Sequence, residues 1–382
     1  MDKVYYIGSY KTQEDNTRSC SQACINKMNY IIDLIRENDY EIEILSTAES
    51  INISSFYRKE ERICLNDFIS INQIPAIKTK KYKNQIHKLI IIIWLIIKLI
   101  QVPQKSRIIL YHGLEYIIPL SFIFKIKKFN IVLELEEIYS KMPDCKYSQS
   151  KELNFINKFD KIIYVSDTLK NEIGKKGFSI YGNYNILQET DIRKINNEKQ
   201  DINLLYAGSI DEIRGVFPAV DTMYYLPNQY KLYISGIGNE RDILKLKDEI
   251  SKLNEKKGEK VCCYLGNLSE EEYITLLKNS DIALNTQIDG IYSSFLFPSK
   301  IINYLRLGLP IVTTPGNSII NSPFKDVLYI SKSYNSTDIA KTILGISNFT
   351  NDQGIKMLKE FHNELIILTK EILNITNNKC QY

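Results

Sequence analysis

At 382 residues and 44.4 kDa, the chain has the length of two domains, or three small ones, each able to bury a core without staples. Hydrophobic residues at 44% and charged residues at 25% are ordinary globular proportions, which excludes a disordered or collagen-like chain. With 49 Lys+Arg against 45 Asp+Glu the net charge is only +4, so no overall excess points to nucleic acid and any basic partner surface is local. In chain order, MDKVYYIGSY opens as a strand over residues 4–8, with no basic-then-apolar leader of the signal-peptide kind. Residues 21–37 carry apolar groups at helical spacing (Ala23, Met28, Ile31, Ile32, Leu34, Ile35), and 41–45 form a second strand.

The segment 89–100, LIIIIWLIIKLI, is twelve residues long and contains Lys98, whereas a bilayer span needs about 20 apolar residues. It predicts the buried part of a helix over 83–102. Its charge setting is unusual: no acidic residue occurs between Asp67 and Glu115, while Lys78, Lys80, Lys81, Lys83, Lys88, Lys98, Lys105 and Arg107 fall in that window. A basic flank beside an apolar helix is also how a monotopic protein meets an anionic bilayer, so both a core helix and a membrane-surface helix stay open.

Strand 107–111 (RIILY) stops at His112-Gly113, and an apolar helix follows over 117–126 with Pro119 in its first turn. Strands 130–135 (NIVLEL) and 161–165 (KIIYV) continue the alternation. The pattern breaks at 188–200, QETDIRKINNEKQ, which is polar and aperiodic and reads as a linker. A second series then begins with strands at 204–207, 230–235, 261–265, 282–285 and 311–313. A helix over 269–279 is opened by Ser269 with acidic residues behind it, and a last helix runs over 354–372. Strands alternating with helices mean parallel sheets, and ligands of such sheets bind beyond the carboxyl ends of the strands. Two doubly wound domains facing a cleft are therefore expected: 1–190, 201–350, and a C-terminal helix over 351–382 returning to the first.

The seven cysteines form no CxxC pair and the three histidines lie far apart, so reduced thiols and no His-based metal site are expected. Two stretches can carry chemistry. In Gly208-Ser209-Ile210-Asp211-Glu212-Ile213-Arg214-Gly215-Val216 a strand ends, a loop follows and a helix begins. Gly208 lets a ligand approach the backbone and Arg214 offers a planar fork of donors to phosphate. In FPSKIINYL, Pro298 and Ser299 are helix-start residues and Lys300 sits in the first turn, where a cation opposes the helix dipole unless an anion is bound. Asn303 lies one turn on. The bland alternatives are a βα turn with a surface arginine and a helix cap with a solvated lysine. The partial Gly236-Ile237-Gly238 match lacks the third glycine of a dinucleotide fingerprint, and no Walker sequence occurs.

Three blocks in order carry a resemblance: LLYAGS…RGV, YLGNLSEEEYITLLKNSDIALNT and FPSKIINYLRLGLPIVTT. Together they resemble the donor domain of a GT-B nucleotide-sugar glycosyltransferase of the retaining "glycosyl transferases group 1" type, over about residues 202–320. The resemblance implies an α/β GT-B fold with two Rossmann-like domains. It implies a transferase of EC 2.4 type moving a sugar from a nucleotide diphosphate, a UDP-sugar foremost, to a saccharide or lipid-linked acceptor in capsule or O-antigen synthesis. It implies a donor site at Gly208, Ser209, Gly215, Gly236, Leu268, Pro298, Ser299 and Asn303, with Arg214 and Lys300 on the leaving diphosphate in place of a metal.

In the first half, His112-Gly113 resembles the family's strand-end turn. Glu136 and Glu137, at the end of the acidic run that begins with Glu134, fall where the family places a His or acidic residue against the acceptor. The chain departs at Ser209, where the family carries Arg, at Asn303, where it carries Glu, and at Phe295, where an earlier Glu falls. A catalytically silent GT-B partner subunit and a nucleotide-sugar 2-epimerase are the alternatives. No cofactor and no nucleic acid partner are expected. The expected location is the cytoplasm, with the inner face of the plasma membrane as a peripheral site.

Overall fold

The computed structural model describes residues 2–51, 56–78, 83–141, 145, 147–185, 201–290, 293–294 and 296–374. The chain divides into two compact units, one of Met1–Val165, Leu169–Ile180 and Asn363–Tyr382, the other of Ser166–Thr168 and Tyr181–His362. The expected linker at 188–200 lies outside the described residues, as does Phe295.

The first unit is built on an eight-stranded sheet. Its elements are β1 (Lys3–Gly8), α1 (Gln22–Glu37), β2 (Glu41–Ser46), β3 (Glu61–Cys64), β4 (Ile69–Gln73), α2 (Lys83–Gln101), β5 (Arg107–Tyr111), α3 (Ile117–Lys127), β6 (Asn130–Leu135), α4 (Gln149–Ile156), β7 (Ile162–Tyr164) and β8 (Gly177–Ser179). The sheet order is β8-β7-β6-β5-β1-β2-β4-β3, and every pairing is parallel except β3 with β4 at the edge. In register, Tyr6 lies between Ile44 and Ile109. Such strands are covered on both faces, which is why Ile108, Ile109 and Leu110 form an unbroken buried run. The order runs outward from β1 in two directions. Right-handed crossovers therefore place α1, between β1 and β2, on one face, and α2 and α3, which lead to β5 and β6, on the other. The last turns of the C-terminal helix belong to this unit. Ile366 O accepts from Asn38 Nδ2 at 2.9 Å, and Leu373 O accepts from Arg107 Nε at 3.1 Å and Asn130 Nδ2 at 3.0 Å.

α2 departs from the sequence expectation. Its Ile91, Trp94, Leu95 and Leu99 are buried, but Leu89, Ile93, Ile97 and Ile100 face solvent, so 89–100 is only half core. Lys98 turns inward to an ion pair with Glu60, whose other carboxylate oxygen accepts from Trp94 Nε1 at 3.0 Å. Part of the basic flank, residues 79–82, lies outside the described residues.

The second unit holds a six-stranded, all-parallel sheet. Its elements are β9 (Ile202–Ala207), α5 (Val216–Thr222), β10 (Tyr230–Ser235), α6 (Glu240–Lys257), β11 (Cys262–Tyr264), α7 (Glu270–Lys278), β12 (Ile282–Asn285), α8 (Lys300–Leu305), β13 (Ile311–Thr313), β14 (Tyr329–Ile330), α9 (Ser336–Leu344) and α10 (Asp352–Asn374), the last shared with the first unit. The order is β11-β10-β9-β12-β13-β14, which reverses beside β9. α7 begins as the sequence predicts: Ser269 and Glu272 form a reciprocal capping box.

Candidate functional site

The carboxyl ends of β9 and β10 bring two glycines together. Gly208 N donates to Ser235 O at 3.0 Å, and Gly236 lies so close that a Cβ there would stand 1.7 Å from Gly208 O. No side chain fits at Gly236, so this floor is main chain alone. The turn that follows is shaped by Asp211, whose Oδ1 accepts from Ile213 N at 2.9 Å and Arg214 N at 2.6 Å. Gly215 then enters the left-handed region at φ 95° and ends the turn. A Cβ there would lie 2.1 Å from Thr286 O, while Thr286 Oγ1 donates to Gly215 O at 2.5 Å. The loop after β12 thus locks the start of α5.

Tyr206, the second-last residue of β9, joins this turn to α8. Its hydroxyl donates to Arg214 O at 2.8 Å, with Ser209 O a weaker acceptor at 3.2 Å. Its ring carries the Lys300 ammonium 4.0 Å from the centroid. A Cβ on Gly208 would be 3.9 Å from Lys300 Nζ, so the amine stands directly over the glycine floor. Tyr304 fixes α8 from below, its hydroxyl accepting from Ala207 N at 3.1 Å. Gly208, Ser209, Arg214 and Lys300 are therefore assembled around one aromatic ring.

Two cations share this turn. Burial pushes the Lys300 amine down to about 7, and the Arg214 guanidinium pushes the same way, with the Asp211 carboxylate opposing. The sequence reading assigned Lys300's unfavourable charge to a helix dipole. α8 has only six residues, and the cause is desolvation beside a second cation. Ser299 also departs from expectation: its backbone is already helical and its side chain makes no cap. Pro298 contributes its carbonyl to Ile301 N at 3.0 Å. Asn303 hydrogen-bonds the Tyr273 phenol of α7, which burial pushes up to about 12. Leu268 is partly exposed in the loop before α7.

In the first unit the three expected acceptor-side residues have separate duties. His112 is completely buried. Its Nδ1 lies 3.2 Å from Glu137 O, its Nε2 3.5 Å from Glu152 Oε1, and its ring stacks on Tyr139. Glu152 accepts from Tyr139 N at 2.9 Å and Ser140 N at 2.8 Å, so His112 and Glu152 together clamp segment 137–141. His112 is thus buried against segment 137–141, its Nδ1 on Glu137 O and its Nε2 making no hydrogen bond among the described residues. Burial holds its pKa below the usual histidine range, Glu152 opposing. Glu136 forms an ion pair with Lys27. Glu137 presents its carbonyl to His112. Glu134, fully buried, accepts from the Tyr6 hydroxyl, and its carboxyl is pushed up to about 8 by burial first and by Glu136 second.

Tyr206 is the residue that sequence reasoning missed. On a buried strand it reads as core, and only the fold brings its hydroxyl to the 209–214 turn and its face to Lys300. Among the described residues no group of three or more His, Cys, Asp or Glu could hold a metal ion, and no helix is long and apolar enough to cross a membrane.

Residues 188–359 match the protein family described as Glycosyl transferases group 1. No curated protein sequence matches the chain. Among solved structures it is similar to a trehalose-6-phosphate protein from E. coli bound with UDP-2-fluoro glucose, with a TM-score of 0.70 and 10% identity over 98% of this chain and 99% of that one. It is similar to sucrose-phosphate synthase from Thermosynechococcus elongatus, with a TM-score of 0.69 and 11% identity over 97% and 98% of the two chains. Anabaena HepE in complex with UDP and glucose gives a TM-score of 0.61 and 13% identity over 97% and 98%.

Proposed function

We propose that this chain, a GT-B glycosyltransferase whose residues 188–359 belong to the glycosyl transferases group 1 family, moves a sugar from a UDP-sugar to a saccharide or lipid-linked saccharide of a surface polysaccharide, with retention and without a metal. The observation that carries the reading is the Lys300 amine, held over the Gly208 floor on the Tyr206 ring beside Arg214. UDP is supported by the ligands named for the E. coli and Anabaena structures, and retention by the group that the sequence resembles.

As the glycosidic bond breaks, its electron pair passes to the leaving phosphate oxygen and negative charge grows there. Fixed cations aimed at that oxygen favour the transition state over the ground state. Arg214 supplies a permanent charge. Lys300 supplies one that the diphosphate itself induces, because a bound anion restores the proton that burial removes. Ser209, in place of the family's arginine, leaves these two cations to act together.

The test is turnover with a panel of nucleotide sugars, read as release of nucleotide in the presence of EDTA. The UDP-sugar is expected to be consumed. Lys300→Ala and Arg214→Ala should each lower turnover by about 10²-fold, the typical effect of losing one preorganised donor. Near-normal turnover in both variants, an obligatory divalent metal, or no consumption of any donor would sink the proposal.

A further inference from the structure

The geometry points to a membrane-docking face on the first unit, made by α2 and α3 together and suited to an anionic lipid surface. It does not rest on the donor site. α2 exposes Leu89, Ile93, Ile97 and Ile100, and α3 exposes Ile118, Phe122 and Ile126, each between 50% and 64% exposed. The spacings of three and four residues put each set on one stripe of its helix. The opposite faces are buried: Ile91, Trp94, Leu95 and Leu99 on α2, Leu120 and Ile123 on α3.

Both helices cover the same face of the sheet, as the crossover argument requires, so both outer stripes look away from it. Lys127 fastens the two at one end. Its ammonium, from the last residue of α3, donates to Ile100 O and, at 2.9 Å, to Val102 O at the end of α2. Lys105 N donates to Lys127 O at 3.0 Å across the same junction. The stripes thus form one continuous apolar face, which a water-exposed enzyme seldom carries without a partner.

Charge decides the partner. Between Asp67 and Glu134 the sequence has eleven Lys and Arg and one acidic residue, Glu115. Arg107 is engaged by Asp2 and Lys98 by Glu60. Lys88 stands exposed at the first end of the face, and Lys105 and Lys128 at the other. Large aliphatic groups rimmed by lysines match a layer with acyl chains below and phosphate groups above. A second copy of this chain would set these lysines against their own like. The two-helix face also extends the sequence expectation, which placed the contact on α2 and its basic flank without α3.

The experiment is flotation of the whole chain with vesicles of phosphatidylcholine, with or without phosphatidylglycerol, at low and high salt. Native protein is expected to float with the anionic vesicles and to be released by salt, since the Debye length shrinks from about 30 Å at 0.01 M to about 3 Å at 1 M. Ile97→Asp combined with Phe122→Asp should abolish flotation. Lys88→Glu combined with Lys128→Glu should reduce binding to anionic vesicles by about tenfold or more. All four positions are exposed, so thermal unfolding should stay close to native, and the lysine pair keeps the test decisive if the aspartates disturb folding. UDP binding, measured alongside, separates this face from the donor site. The inference is overturned if native protein fails to float at low salt. It is also overturned if light scattering shows a dimer that the aspartate variant dissociates, which would assign the face to a second copy.

Discussion

Proton uptake on donor binding is the sharpest consequence of the Lys300 environment. The unliganded amine titrates at about 7 because burial and Arg214 both oppose its charge. At pH 8 about one site in ten then carries the ammonium, and at pH 9 about one in a hundred, and a site competent only in that fraction loses affinity in proportion. Apparent affinity for UDP should therefore fall about tenfold per pH unit above 7, at about 1.4 kcal/mol per unit, until the pKa of the bound state is reached. UDP itself is fully ionised there, its last phosphate proton leaving near pH 6. Isothermal titration at pH 8 in two buffers of different ionisation enthalpy should show uptake of about 0.9 proton per UDP, the fraction of sites that are neutral at that pH. Lys300→Arg keeps a charge that does not titrate and should flatten both signals. The same shift acts on stability with the opposite slope. The unfolded chain holds this proton up to about 10.5 and the folded chain only to about 7, so Lys300 makes folding more favourable as pH rises between them. A native affinity that is flat from pH 7 to 9, with no proton uptake, would refute the reasoning.

Three further outcomes follow from the geometry. Tyr206→Phe keeps the ring under Lys300 but removes the donor to Arg214 O, so it should cost about 1 kcal/mol in denaturant unfolding and weaken UDP binding while leaving the pH slope intact; a lost slope would mean that the ring, too, had moved. Asn303→Ala should raise KM for the donor with kcat largely preserved, since a donor contact away from the breaking bond is alike in ground and transition states; a selective fall in kcat would contradict that. Glu134 holds its proton to about 8 in the fold and to about 4.5 unfolded, so its contribution to stability declines as pH rises through that window; Glu134→Gln should remove the decline in unfolding curves taken across it, and an unchanged pH profile would rule the assignment out.

The parallel sheets were legible because their strands are short apolar runs bounded by glycine, as in RIILY before His112-Gly113 and LLYA before Gly208. β4 was less so, since the alternation of ISINQ lasts only four residues and ends in two polar ones. It is held by parallel pairing with β2, and beside that ladder the Asn72 side-chain amide donates through Nδ2 to Glu43 Oε1 at 2.8 Å. Lys300 could be singled out because a lysine opening a helix is locally unfavourable. The true source of its perturbation, burial beside Arg214, left no mark in the sequence, nor did the ring 94 positions earlier on which the amine sits. His112 is a like case. A histidine at a strand end suggests an exposed group, and only the fold shows its ring buried and stacked on Tyr139. For α2 the run of isoleucines signalled burial, while the exposed half of the helix became visible only with α3 beside it.

The glycine floor sets what kind of variation the donor-side unit can absorb. A side chain at Gly236 would collide with the Gly208 carbonyl, and one at Gly215 with that of Thr286, yet neither glycine offers a functional group that substitution could alter. Recognition by the main chain is sterically strict and chemically anonymous, so it survives wholesale replacement of the residues around it. Change is then channelled to the positions standing above the floor. Ser209 is one of these, and like Asn303 it departs from the pattern of the family that the sequence resembles. Variation at such a rim leaves the backbone framework beneath it unchanged, in a fold that is found again at 10% identity.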